Sequence, residues 1–141
     1  EEKDTLKNIR RSKEFVVNYC TEMIAEKVNL ASTELPYGQS EFEFAKLSTE
    51  DSELIQPKRL KESPINLECK LRDILSYGDQ PGCGSIVTGE VVKIHIDETI
   101  FKDGKIITDL FKPIGRGTGN DWIKCDSRIQ MERLMVSQIQ K

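Results

Sequence analysis

Lys3, Asp4 and Thr5 bring together an ammonium, a carboxylate and a hydroxyl just before a run of helix-forming residues. A helix N-terminus attracts anions because its first backbone N–H groups lack partners within the helix and its dipole favours negative charge. The Lys3 ammonium and the Thr5 hydroxyl can add direct contacts, so this segment is a candidate phosphate site. The alternative is that Asp4 or Thr5 only caps the helix.

A second segment with the composition of a phosphate-binding loop is Gly-Arg-Gly-Thr-Gly-Asn at 115–120. A dinucleotide-binding loop requires a preceding strand, a following helix and a different third glycine spacing, and a P-loop requires Gly-Lys-Ser/Thr. These features are missing, which favours a flexible surface loop. Trp122 follows it and could stack on a flat ligand, although a single Trp more often packs in the core or at its rim.

The single histidine and the cysteines indicate structural roles. His95 stands between Ile94 and Ile96 on a predicted strand, a pattern typical of a partly buried structural residue. No Cys-x-x-Cys pair is present, so neither a zinc site nor a thioredoxin-like centre is predicted. We therefore expect no metal centre and reduced thiols, as in a cytoplasmic protein. The four cysteines are Cys20, Cys69, Cys83 and Cys125.

Composition narrows the class of protein. The 141 residues are 37% hydrophobic and 32% charged, which is typical of a globular domain that buries roughly two-thirds of its unfolded surface. No apolar run approaches the roughly 18 residues of a membrane span, and no export signal is visible. The net charge of −3, with acids and bases interspersed, argues against a nucleic-acid surface. The chain begins with Glu1 rather than Met, which is typical of a processed or truncated piece.

The first half of the chain predicts short helices around one strand. A helix is expected from Asp4 to about Ser12, then a strand over 15–20, then a helix capped by Thr21. Residues 33–64 contain several prolines and are predicted to form a long excursion from the sheet. Within it, the segment 41–47 fits either a helical turn or a strand.

The second half predicts long strands. Apolar residues alternate over 65–75, with Ile65, Leu67, Cys69 and Leu71 on one face and Asn66, Glu68, Lys70 and Arg72 on the other. Residues 78–84 predict a loop, and 85–97 a second strand in which Gly89 marks a bulge or close approach. A turn is expected at 103–104, an irregular return over 106–115, a last strand over 121–129 and a short helix or tail over 130–141. Together the elements predict an α+β fold, mainly β, built around a barrel or curled sheet.

Six collinear segments resemble the flavin reductase-like family, the FMN-binding split barrels. The resemblance spans nearly the whole chain, in the family's order. The segments are Lys3–Arg10 with Glu14–Asn18, Asn29–Ser32 after Ala25, Glu41–Glu43, Glu62–Cys69, Gly89–Asp97, and Pro113–Arg116 with Asn120–Trp122.

The resemblance implies a split β-barrel with short helices that works as a homodimer and holds FMN near the subunit interface, with NAD(P)H as a possible co-substrate. It places Lys3, Asp4 and Thr5 at the FMN phosphate, and Asn29, Ala31 and Ser32 near the flavin or its ribityl chain. Arg116 and Trp122 would approach the ring or the nicotinamide, with Trp122 where many relatives have Tyr. The flavin carries the redox chemistry, so no catalytic side chain is predicted.

One departure from the family pattern leaves two functions open. Relatives have several strands upstream of the Lys-Asp-Thr segment, so the chain is expected to be one domain, 1–141, truncated at its N-terminus, with unpaired sheet edges. The first function is an oxidoreductase of the flavin reductase type. The alternative is a non-catalytic split-barrel remnant that serves as a dimerisation or weak ligand-binding module. In either case we expect the excursion 33–64 to wrap the partner subunit.

Overall fold

The computed structural model describes residues 2–78, 80, 83–125 and 127–135. The α-helices are α1 (Asp4–Ser12), α2 (Ala25–Leu30), α3 (Glu41–Phe44) and α4 (Thr108–Phe111), with 3-10 turns at Glu22–Ile24 and Glu98–Ile100. The strands are β1 (Glu14–Asn18), β2 (Thr49–Glu50), β3 (Arg59–Leu60), β4 (Ile65–Ser76), β5 (Ser85–Ile96), β6 (Phe101–Lys102), β7 (Lys105–Ile106), β8 (Ile114–Arg116) and β9 (Trp122–Lys124). The content confirms the α+β, mainly β prediction.

A three-stranded antiparallel sheet in the order β1-β4-β5 organises the molecule. β4 and β5 have 12 residues each, and their pairing runs from Ile65 opposite Ile96 to Ser76 opposite Ser85. β1 pairs with the first half of β4. The other strands form two-stranded ribbons, β2-β3, β6-β7 and β8-β9. Among the described residues, no strand pairs with the outer edge of β5.

Gly89 is required where β5 passes the side chain of Phe15. A Cβ at Gly89 would lie 2.6 Å from Phe15 Cζ and 3.0 Å from the Lys70 carbonyl oxygen, closer than real Cβ contacts. The β4-β5 register also shifts beside it, between Leu71 and Asp73. The predicted close approach is therefore confirmed.

The first half of the predicted polar face of β4 is buried, whereas Lys70 and Arg72 farther along the same face are exposed. Asn66 is 3% exposed and Glu68 0%, as buried as Ile65 and Cys69 on the other face. The excursion covers this face and supplies polar partners. Asn66 Nδ2, for example, donates to the Leu60 carbonyl oxygen at 3.2 Å.

The excursion also closes the hydrophobic core. Ala45, Leu47 and Leu60 come from it and pack with Ile24. The ambiguous segment 41–47 begins as α3, because the Ser40 side chain accepts a hydrogen bond from the Glu43 N–H at the helix start. Wrapping of a partner by the excursion stays a prediction.

The first helix begins where the sequence indicated, whereas the second begins only at Ala25, and neither has a side-chain cap. Lys3 is the N-cap of α1, and Asp4 and Thr5 lie in its first turn, so the capping interpretation of these two residues is wrong. Thr21 occupies the predicted cap position, yet it precedes a 3-10 turn and its side chain forms no capping bond.

The C-terminal part contains less strand than predicted. The expected strand 121–129 is only Trp122–Lys124, and residues 127–135 have no regular secondary structure. Residues 126 and 136–141, and 79, 81 and 82 of the predicted loop, lie outside the described residues. The expected 103–104 turn is present, with φ of 51° at Asp103 and 74° at Gly104, as a tight hairpin requires.

Candidate functional site

The start of α1 presents a donor set that suits a phosphate. The Lys3 carbonyl accepts hydrogen bonds from the N–H groups of Leu6 and Lys7, at 3.0 and 3.1 Å. The N–H groups of Asp4 and Thr5 precede these bonded groups and point out of the helix end. Lys3 and Thr5 are exposed. Two backbone donors, a hydroxyl and an ammonium are therefore available at one helix end.

The Asp4 carboxylate does not suit an anion, and the structure pairs it with a cation. Lys7 Nζ lies 3.4 Å from Asp4 Oδ1, and the same ammonium lies 5.6 Å from the centre of the Tyr37 ring. Asp4 could contribute to an anion site through its N–H group, with Lys7 offsetting its charge.

The second predicted group lies at the end of α2. Ser32 Oγ donates to the Asn29 carbonyl oxygen at 2.6 Å, and the Ser32 N–H donates to the same oxygen at 3.1 Å. Asn29 and Ser32 are exposed, whereas the half-buried Ala31 packs against the core cluster. The Asn29 side chain and the Ser32 hydroxyl are thus open to a ligand, while the Ala31 side chain is turned away.

The third group lies on the β8-β9 hairpin, where Arg116 and Trp122 are cross-strand partners. The Arg116 guanidinium carbon lies 5.2 Å from the centre of the Trp122 ring, and Arg116 Nη2 donates to the Gly119 carbonyl oxygen at 2.6 Å. The glycine-rich segment is therefore part of a hairpin, which the Gly117 N–H closes on the Asp121 carbonyl at 2.9 Å.

The structure brings each group together internally but does not join the three groups. The hairpin is attached beside α2, because the Ile114 N–H donates to the Cys20 carbonyl and Thr21 bridges to Pro113. The start of α1 lies a whole helix away from β1. Among the described residues, no hydrogen bond or ion pair connects one of the three groups with another.

A buried polar cluster was missed by the sequence analysis. The Glu68 carboxylate accepts the backbone N–H groups of Glu53 and Leu54, each at 2.8 Å, and lies 2.6 Å from His95 Nε2. Burial acts to raise the pKa of Glu68, but these hydrogen bonds and the imidazole outweigh burial and lower it. Glu68 is therefore held as a carboxylate inside the fold.

Charged side chains extend this cluster to the surface. Arg59 Nε lies 3.9 Å from Glu68 Oε1, and Arg59 Nη1 lies 3.1 Å from Glu50 Oε1. On the other side, Glu53 Oε2 lies 2.7 Å from Lys93 Nζ, whose hydrogen bond lowers the pKa of Glu53. The cluster borders a polar cleft of about 400 Å³ whose lining includes Glu50, Arg59, Lys61, Asn66, His95 and Asp97.

The prediction that His95 is a partly buried structural residue agrees with its 14% exposed side chain. Its partner is a glutamate 27 residues away in the chain. Alternation along β4 places Glu68 on the polar face of the strand, and nothing local in the sequence reveals that the excursion returns over it. The sequence feature that pointed toward this cluster was the single histidine on the neighbouring strand β5.

Among the described residues, no three or more His, Cys, Asp or Glu side chains are arranged to hold a metal ion. No helix there combines the length and apolar character that crossing a bilayer requires.

Sequence comparison decides the family. Residues 1–109 match the family described as the flavin reductase like domain. The chain belongs to that family. An uncharacterized protein of Halalkalibacterium halodurans is 35% identical to this flavin reductase-like chain over 138 residues. The match covers 96% of the chain but only 66% of that relative.

Structural comparison gives the same assignment. Nitrilotriacetate monooxygenase component B from Bacillus cereus superimposes with a TM-score of 0.86 at 32% identity, covering 93% of this chain and 66% of that one. A Shewanella frigidimarina protein described as a flavin reductase with a split barrel domain gives a TM-score of 0.79 at 21% identity, covering 92% and 65%. The fold is the flavin reductase split barrel, as the resemblance implied. The chain spans just under two thirds of the length of these relatives.

Proposed function

We propose that this chain is part of a flavoprotein of the flavin reductase type, which binds FMN and passes reducing equivalents from NAD(P)H to flavin or through bound FMN to an acceptor. The observation that carries the proposal is the family match over residues 1–109. The isoalloxazine supplies the hydride and electron chemistry when bound, so the protein need only bind, orient and shield it. A chain without an evident nucleophile suits that role.

The donor set at the start of α1 supports a phosphate at this end of the ligand. The Lys3 ammonium, the Thr5 hydroxyl and the N–H groups of Asp4 and Thr5 would hold the phosphate oxygens, as the resemblance implied. All of these groups donate, and phosphate offers only acceptors when fully ionised. Asp4 takes part through its backbone, because its carboxylate is paired with Lys7.

The other two groups would meet the less polar part of the ligand. The exposed Asn29 and Ser32 side chains suit the hydroxyls of a ribityl chain, and Ala31 would contribute only backbone. Trp122 has one ring face beneath Arg116. The opposite face would stack on a flavin or nicotinamide ring. Because Arg116 is a permanent cation, it would favour an anionic ligand beside the indole.

Spectroscopy of the purified chain tests this function. We expect a yellow protein with flavin absorbance, and bleaching of that absorbance when NADH or NADPH is added without oxygen. A colourless protein that gains no bound flavin from excess FMN would contradict the proposal.

A non-catalytic split-barrel module is the second candidate, and the outer edge of β5, which no strand pairs among the described residues, favours its dimerisation role. A module of this kind would bind FMN weakly or not at all, and its bound flavin would not be bleached by NAD(P)H. Equilibrium dialysis with FMN, followed by anaerobic reduction, therefore distinguishes the two functions.

We further propose that residues 1–141 form one domain that assembles as a homodimer. The outer edge of β5 supports this, because Ile86, Val91 and Ile94 on that strand are 50%, 45% and 55% exposed. An apolar edge strand invites pairing with another chain. Sedimentation equilibrium at micromolar concentration should show twice the 16.1 kDa chain mass. A monomer alone would contradict the dimer.

A further inference from the structure

Residues 51–58, which we call the strap, are held against the sheet by carboxylates. The strap joins β2 to β3 and lies over the buried polar face of β4. Glu68 accepts the N–H groups of Glu53 and Leu54, and Glu14 Oε2 on β1 accepts the N–H of Gln56 at 2.9 Å. Carboxylates of two strands thus hold three backbone donors of one loop.

The strap in turn reaches the third strand with a carboxylate of its own. Glu53 Oε2 pairs with Lys93 Nζ at 2.7 Å, and Glu53 Oε1 lies 3.7 Å from His95 Nδ1. Ile55 adds an apolar contact and is 8% exposed. The strap is therefore attached to β1, β4 and β5, mostly through ionised groups.

His95 lies between the two carboxylates that matter most for this attachment. Its Nε2 is 2.6 Å from Glu68 Oε1, and its Nδ1 is 3.7 Å from Glu53 Oε1. A neutral imidazole has only one N–H, so it can donate to one carboxylate and turns a lone pair toward the other. An imidazolium donates from both nitrogens and attracts both carboxylates.

We propose that Glu68, His95 and Glu53 form a proton-sensitive latch, in which protonation of His95 fastens the strap to the sheet and deprotonation loosens it. We expect deprotonation to loosen the strap together with the edge of the cleft that His95 lines. The latch goes beyond the proposed flavin chemistry and does not depend on it.

The two carboxylates of the latch are held in their ionised form. The pKa of Glu68 lies below the ordinary 4.5, because its hydrogen bonds outweigh burial. The pKa of Glu53 is also lowered, first by the Lys93 hydrogen bond. The charged groups that face the latch from the packed elements are Glu50, Arg59, Lys61, Lys93 and Asp97. Histidine is the side-chain type whose ordinary pKa, about 6.5, lies near neutrality.

Amide hydrogen exchange measured by NMR tests the latch. Rates for Glu53 and Leu54, normalised to intrinsic exchange, are compared at about pH 5.5 and about pH 8, on either side of that ordinary value. We expect protection of these amides to fall about two- to fivefold at the higher pH, the size expected for a partly exposed ion pair. The Ser48 amide is the internal control, because the Glu62 carboxylate accepts it at 2.9 Å and no ion pair or hydrogen bond joins Glu62 to His95 among the described residues. Because the chain has one histidine, its single imidazole signal reports the charge state directly.

Two variants make the outcome decisive. His95→Gln keeps an N–H donor for Glu68 but cannot gain a proton, so the pH dependence of the Glu53 and Leu54 amides should disappear. Glu53→Gln changes a side chain that is 55% exposed, so it should fold normally and reduce the pH dependence. Glu62→Gln is the matched control and should leave the pH dependence of the Glu53 and Leu54 amides unchanged. An unchanged pH dependence in Glu53→Gln, equal changes at Ser48, or pH-independent protection in the wild-type chain would overturn the latch.

Discussion

Arg116 and Trp122 face each other across the β8-β9 hairpin, with the guanidinium carbon 5.2 Å from the ring centre. The guanidinium is also bonded to the Gly119 carbonyl rather than to the neighbouring Asp121. This arrangement holds the guanidinium over one face of the indole. We propose this pair as a platform on which a ligand ring stacks.

We expect FMN to quench most of the Trp122 fluorescence if the platform stacks on the flavin ring. Trp122 is the chain's only tryptophan, so the emission reports this position alone. Trp122→Ala should slow reduction by NAD(P)H more than it lowers thermal stability, since stacking contributes about 0.5–1.5 kcal/mol beyond burial. Unchanged emission at saturating FMN, together with a mainly lowered melting temperature in the variant, would remove both residues from the site.

Lys3→Ala should weaken FMN binding about ten- to a hundredfold, because it removes a charge-assisted contact to the phosphate. Riboflavin has no phosphate, so its affinity should change little. Isothermal titration with both ligands measures the difference. If both ligands lose affinity equally, Lys3 does not lie at the phosphate.

Glu68 makes the fold sensitive to acid. The pKa of Glu68 is lowered in the folded chain, since its hydrogen bonds outweigh the effect of burial, whereas the unfolded chain has the ordinary value of 4.5. Its stabilisation is therefore complete above about 4.5 and is lost as the pH falls through the lowered folded-state pKa.

Urea unfolding at about pH 7 and about pH 3.5 measures this contribution. Glu68→Gln should cost about 1–3 kcal/mol at neutral pH and should show a smaller loss on acidification than the wild-type chain. Glu90→Gln is the control, because Glu90 pairs with Arg72 on the exposed surface. An acid loss of the same size in Glu68→Gln and the wild-type chain would show that other carboxylates are responsible.

Gly89→Ala should destabilise the fold by about 1–3 kcal/mol, because the new methyl group would meet Phe15 Cζ at 2.6 Å. Gly115→Ala is the matched control, since a Cβ there meets nothing within 4 Å. Thermal unfolding of both variants tests the difference. Equal melting temperatures would mean that Phe15 moves aside at no cost.

The four thiols should react in two classes with DTNB. Cys83 and Cys125 are exposed. Burial raises the pKa of the Cys20 and Cys69 thiols, so a smaller fraction of each is present as the reactive thiolate. We expect two fast and two slow reactions in the native protein. After denaturation without reductant, all four should react, as the predicted reducing compartment requires; two or fewer would contradict the prediction.

The sequence by itself determined the elements whose causes are local. The helix from Asp4 to Ser12, the long β4 and β5 strands and the tight turn at Asp103-Gly104 follow from residue preferences and alternation over short stretches. The family could also be inferred, because it depends on the collinear order of segments. The last strand was predicted too long, because β8, its pairing partner, begins at Ile114 opposite Lys124 and residues 127–135 form no strand.

Only the tertiary structure decided which polar groups are buried. Alternation along β4 places Glu68 and Asn66 on a polar face, and a strand pattern alone cannot state whether water or another segment covers that face. The strap, which lies about 15 residues before Glu68 in the chain, covers this face. Its backbone N–H groups stabilise the fully buried carboxylate there. Contacts of this kind join residues far apart in sequence, such as Glu68 and His95. They depend on the path of the excursion and therefore leave no local pattern in the sequence.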